Sequence, residues 1–125
     1  MRLFNKALLA VTTVALLSFG AQAEGDAAKG EKVYRKCKAC HSFDAKARKM
    51  GPTFAGILGR KSGSVEGYRY SKAFQKTDFT WDEATLAEFM LAPRKMVKGN
   101  KMPFGGLRKP QDIENLIAYL KTKAE

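Results

Sequence analysis

The chain has 125 residues, 45% of them hydrophobic, with 23 Lys and Arg against 12 Asp and Glu and a formal net charge of +11. That length and composition suit one soluble domain with a modest core, and argue against several domains or several membrane spans. The charge suits an acidic protein, an anionic membrane surface or nucleic acid as partner, or else marks no more than a soluble basic surface.

At the N-terminus, Arg2 and Lys6 precede an apolar run from Ala7 to about Phe19, and Ala21-Gln22-Ala23 follows. This is the pattern of a secretory signal peptide over residues 1–23. The apolar run is shorter than the ~18 to 20 residues that span a bilayer, although an uncleaved leader would act as an anchor. Cleavage after Ala23 leaves one domain, residues 24–125, with a net charge of +9 once Arg2 and Lys6 are gone. Export makes nucleic acid an unsuitable partner and an acidic protein the leading one.

The first element of that domain is a helix. Asp26 stands as its N-cap, and Ala27, Gly30, Val33, Tyr34 and Cys37 recur at helical spacing. From Phe43 to Gly67 six glycines and prolines break every period, which predicts loop. Ser71–Lys76 reads as a short helix. Thr80-x-x-Glu83 forms a candidate capping box for a helix whose Leu86, Phe89 and Met90 share a face until Pro93 stops it. A second loop runs through PRKMVKGNKMPFGGLRK. Pro110 then opens a final helix with Ile113, Leu116, Ile117 and Leu120 as its buried stripe. The sum is a small all-helical domain whose loops are too long for its size unless a large apolar ligand organises them.

Both cysteines and the only histidine of the chain fall within CKACH, Cys37 to His41. A disulfide or a redox-active thiol pair leaves His41 unexplained, and thiol oxidoreductases set the motif in a βαβ context that this chain lacks. A structural zinc site needs four ligands, and the chain offers three Cys and His side chains in all. Covalent haem attachment uses every residue: two thiols add to the two vinyl groups of the porphyrin, and His41 follows as an iron ligand.

The opposite face of the iron is open or takes a methionine, because no second histidine exists. Met90 sits on a core stripe, Met50 is too close to His41 in sequence to reach the far face readily, and Met96 follows a helix end. Met102 stands in GNKMPFGG, where glycines and Pro103 let the backbone approach a flat ligand, and is the leading candidate.

CKACH, GPTFAGILGRKSG, GYRYSKAF, FTWDEATLAEF, NKMPF and DIENLIAYLK stand in the order and near the spacing of class I cytochromes c, and the chain resembles the mitochondrial-like members found in purple bacteria. The resemblance implies an all-α fold of three main helices and long loops around one covalently bound haem c. Gly30 and Tyr34 would cross Leu116 and Tyr119 of the last helix. Pro52 would accept the His41 N–H, while Arg60, Tyr70, Trp81 and Asn100 would surround the haem propionates. Phe74 and Phe89 replace an asparagine and a tyrosine common in the family, which implies a drier pocket on the Met102 side. Lys36, Lys49, Arg94, Lys95, Lys101, Arg108 and Lys109 match a basic docking ring.

The function so implied is a monomeric one-electron carrier, not an enzyme. It would serve the acidic docking faces of a cytochrome bc complex and a photosynthetic reaction centre, terminal oxidase or reductase, and meet the membrane only through them. A haem enzyme or sensor with a displaceable sixth ligand, peroxidase-like or gas-binding, is the alternative.

Overall fold

The computed structural model describes residues 25–123, so the leader expected over residues 1–23 lies outside the described residues. Five helical segments follow one another: α1 (Ala27–Tyr34), α2 (Lys72–Gln75), α3 (Glu83–Leu91), α4 (Pro93–Met96) and α5 (Pro110–Lys123). The described residues form no β-strand, only an isolated antiparallel bridge between Lys61 and Thr80. The loops are instead tied by single backbone bonds. Gly59 and Ser62 donate to the Trp81 and Phe79 carbonyls at 2.7 Å each, and Trp81 donates back to Arg60 at 2.8 Å.

The frame of the molecule is the crossing of α1 and α5. Asp26 caps α1 by accepting the Lys29 N–H at 3.1 Å, and its own N–H donates to Asn115 Oδ1 on α5 at 2.8 Å. At the crossing the two backbones nearly touch: a Cβ on Gly30 would lie 1.8 Å from the Asn115 carbonyl oxygen and 2.8 Å from Tyr119 Cβ. Only glycine permits that approach. Tyr34 meets Tyr119 one turn on, with ring centroids 5.4 Å apart. The predicted stripe of α5 is buried throughout, with Leu116 and Leu120 sealed completely. Each such leucine contributes about 1.5–3 kcal/mol of hydrophobic stabilisation relative to exposure.

Two local expectations are corrected. The capping box of α3 is made by Asp82 and Thr85, not by Thr80 and Glu83: Asp82 Oδ1 accepts the Thr85 N–H at 2.8 Å while Thr85 Oγ1 accepts the Asp82 N–H at 2.8 Å. Thr80 is engaged in the bridge to Lys61, so the helix turns two residues later. The loop expected after Pro93 opens with the helical turn α4, for which Pro93 at the first position presets the backbone. Beyond α4 the chain is fastened to the end of α3 by the Leu107 N–H, which donates to Met90 O at 2.7 Å.

Candidate functional site

After Tyr34 the chain continues in tight turns, with the Cys37 N–H on Tyr34 O at 2.7 Å and the His41 N–H on Cys37 O at 2.9 Å. These turns bring Cys37, Cys40 and His41 to one wall of a cavity of about 350 Å³. The two cysteines are not bridged to each other. Burial, opposed by Lys36 and reinforced by Cys40, pushes the Cys37 thiol up to about 11. A thiol built for disulfide exchange has the reverse property, a depressed pKa. Among the described residues no three His, Cys, Asp or Glu side chains gather as a metal-ion site.

His41 is held on several sides. Its Nδ1 donates to the Pro52 carbonyl at 2.8 Å, as expected for that proline, and its ring stacks on Phe54 with centroids 4.2 Å apart and planes 14° apart. Gly51 lies against the same ring, where a Cβ would come within 2.4 Å of Cε1. Burial lowers the imidazole pKa; the Pro52 bond opposes that shift, and Arg60 and Lys49 add to it. A neutral ring that donates through Nδ1 leaves the Nε2 lone pair free, which is the form a metal ligand requires. Neither Gly51 nor Phe54 was singled out from sequence. Gly51 directly before Pro52 was the available signal, whereas Phe54 carried none.

Met102 lines the same cavity, as do Met50 and Met90. Met90 is 5% exposed and belongs to the core, as its stripe indicates, while Met50 stands 75% exposed at the mouth. Met96 is half-buried and does not face the cavity. Pro103 and Phe104 join Met102 in the lining, so one short segment supplies a continuous piece of wall. The remaining walls are largely apolar, including Ile57, Leu86, Phe74, Trp81 and Phe89. Phe89 packs edge-on against Phe74 and Trp81, at 5.6 and 5.2 Å between centroids, so this wall is aromatic.

Arg60, Tyr70 and Trp81 also border the cavity. Arg60 donates through one guanidinium nitrogen to the Thr53 and Ala55 carbonyls at 2.8 and 3.1 Å, yet its Nε is buried without a partner among the described residues. A buried unsatisfied donor is costly, and an anionic group in the cavity would relieve it. Asn100 is bonded differently. Its Nδ2 donates to the Pro93 and Val97 carbonyls at 3.0 and 2.9 Å and its Oδ1 accepts the Met102 N–H at 2.9 Å, so it shapes the Met102 segment from behind and is not part of the lining. All seven candidate docking residues are exposed; of these, Lys36 and Lys101 reach the cavity mouth.

The cavity therefore fits haem c: two thiols and a neutral histidine on one wall, apolar sides, and an unsatisfied cationic donor at the edge. The family model Cytochrome c matches residues 27–124, nearly the whole of the described chain. The chain belongs to the cytochrome c family. Cytochrome c of Chlamydomonas reinhardtii is 45% identical over 83% of this chain and 95% of its own length. Cytochrome c2 iso-2 of Magnetospirillum molischianum is 45% identical over 69% and 89%. The structure of cytochrome cH from Methylobacterium extorquens, also 45% identical, superposes with a TM-score of 0.74 and covers 79% of this chain and 100% of that one. This cytochrome c is accordingly of class I, a family that binds covalent c-type haem and whose CxxCH motif Cys37 and Cys40 fit, and is an electron carrier rather than an enzyme.

Proposed function

We propose that the chain is an exported, monomeric one-electron shuttle with His41 and Met102 as the two axial ligands of its haem iron. The observation that carries this reading is that one cavity brings together Cys37, Cys40 and His41 with Met102, about half the chain apart in sequence. The bound haem supplies a ferric/ferrous couple. The residues of the chain do the rest: Cys37 and Cys40 fix the group covalently, and Pro52, Phe54 and Gly51 hold the His41 ring in one orientation. Asn100 fixes the backbone of Met102. With His41 and Met102 both holding the iron, no position would be left for a substrate, and a rigid site would keep reorganisation between oxidation states small.

The leader pattern of residues 1–23 supports a periplasmic location. The exposed Lys36, Lys49, Arg94, Lys95, Lys101, Arg108 and Lys109 support docking on acidic faces of membrane redox complexes, a cytochrome bc complex on one side and a reaction centre, oxidase or reductase on the other. Among the described residues no helix is long and apolar enough to cross a membrane. Stopped-flow oxidation of the ferrous holoprotein by a small anionic and a small cationic oxidant, over a range of ionic strength, tests the electrostatic part. The rate with the anion is expected to fall as salt rises and the rate with the cation to rise. Rates independent of salt would refute steering by this surface.

A further inference from the structure

Side chains alone span the mouth of the cavity. Three loop segments meet there, around Met50–Pro52, Tyr68–Tyr70 and Asn100–Pro103, and among the described residues no backbone-to-backbone hydrogen bond joins any one of them to another. The first segment is the side of His41, since Pro52 O takes the Nδ1 proton. The third is the side of Met102. Tyr68 sits between them and touches both. Its Oη donates to the Met50 carbonyl at 2.7 Å, and Lys101 Nζ lies 5.1 Å from its ring centroid. Lys101 Nζ also donates to the carbonyl of Arg69, the next residue in the chain.

We propose that Tyr68 is a positioning residue that clamps the His41 side and the Met102 side of the cavity mouth to each other, acting through the Met50 carbonyl and Lys101. The proposal rests on Met102 as the sixth ligand only for its effect on the iron. Tyr70 braces the clamp, meeting the Tyr68 ring edge-on at 4.7 Å, and Gly67 (φ +77°) turns the chain into it through a conformation that other residues rarely adopt. Tyr68 grips the backbone of Met50, not its side chain, which is exposed at the cavity mouth. A tyrosine is needed for both contacts together: phenylalanine keeps the face for Lys101 and loses the bond to Met50, and leucine loses both.

Two kinds of measurement on the holoprotein test this. Imidazole titrated into the ferric form competes with Met102 and reads how readily that segment opens. Affinity is expected to rise about threefold in Tyr68→Phe, and up to about tenfold in Tyr68→Leu and in Lys101→Gln, with the double variant close to the larger single effect because the two residues act as one unit. Amide exchange reads the two sides separately, at the Gly51 N–H, which donates to Cys40 O, and the Met102 N–H, which donates to Asn100 Oδ1.

Lys101→Gln is expected to speed exchange at Gly51, across the mouth from the substitution, without a matching fall in the global unfolding midpoint. Unchanged imidazole affinity in Tyr68→Leu, fully additive effects, or exchange that quickens only next to each substitution would overturn the clamp. Should the wild-type ferric spectrum show no methionine ligation, the sixth-ligand reading fails, and the exchange at Gly51 still decides the clamp. If Tyr68→Leu does not fold, Tyr68→Phe and Lys101→Gln, which remove fewer atoms, carry the same test.

Discussion

Gly30→Ala puts two principles in direct opposition. Alanine is the better helix former by about 1 kcal/mol, so propensity alone predicts a more stable protein. At the crossing, however, the new methyl carbon would stand 1.8 Å from the Asn115 oxygen and 2.5 Å from its carbonyl carbon, both backbone atoms that no rotamer change can move. Reaching ordinary contact requires α1 and α5 to part by more than an ångström, and overpacking of this kind costs about 1–3 kcal/mol. Separation also stretches the bond from Asp26 N–H to Asn115 Oδ1, now 2.8 Å, for about 1 kcal/mol more.

The balance is a loss of about 1–3 kcal/mol, or about 5–20 °C in Tm for a domain near one hundred residues. Gly30→Leu does worse. Thermal unfolding of the holoproteins followed by far-ultraviolet circular dichroism measures the effect. A Tm for Gly30→Ala equal to or above wild type would show that propensity wins and that the crossing is looser than described.

Further predictions concern α3 and the aromatic wall. The backbone and side-chain bonds from Thr85 hold the Asp82 carboxyl below its usual range. Its contribution to stability is therefore complete above the unfolded value of about 3.9 and disappears as pH falls through the lower folded value. The Tm deficit of Asp82→Ala should accordingly shrink between neutral pH and about pH 2, whereas a constant deficit would mean that the charge is irrelevant to the cap. Phe89→Tyr adds a hydroxyl beside Phe74 and Trp81, neither of which carries a side-chain hydrogen-bond acceptor, and should cost about 1–3 kcal/mol in denaturant unfolding. The same variant should shift the reduction potential in a redox titration, since the pocket polarity changes; an unmoved potential would place Phe89 away from the iron.

What could be read from sequence was set by distance along the chain. The stripe of α5 is a local pattern, and Ile113, Leu116, Ile117 and Leu120 are buried as their spacing demands. CKACH is equally local, and its chemistry follows from residue types at fixed offsets. Competition between neighbours is harder to read: Thr80 and Asp82 both suit a helix start, and the bridge from Thr80 to Lys61, some twenty residues back, decides between them.

Asn100 shows what a positional match leaves out. A position near the haem edge in the family holds here an amide whose donor and acceptor are both spent on nearby backbone. Contacts that join separate loops leave no local trace at all. Phe54 beneath His41 and Tyr68 between Met50 and Lys101 are visible only once the chain has closed around the cavity.

The central claim is that His41 and Met102 complete one site, and the ferric absorption spectrum of the holoprotein tests it most directly. Methionine ligation gives a low-spin spectrum with a weak charge-transfer band in the red. That band is expected in wild type, and Met102→Ala is expected to abolish it while opening the iron to added imidazole. A high-spin wild-type spectrum, or a band that survives in Met102→Ala, would contradict the account.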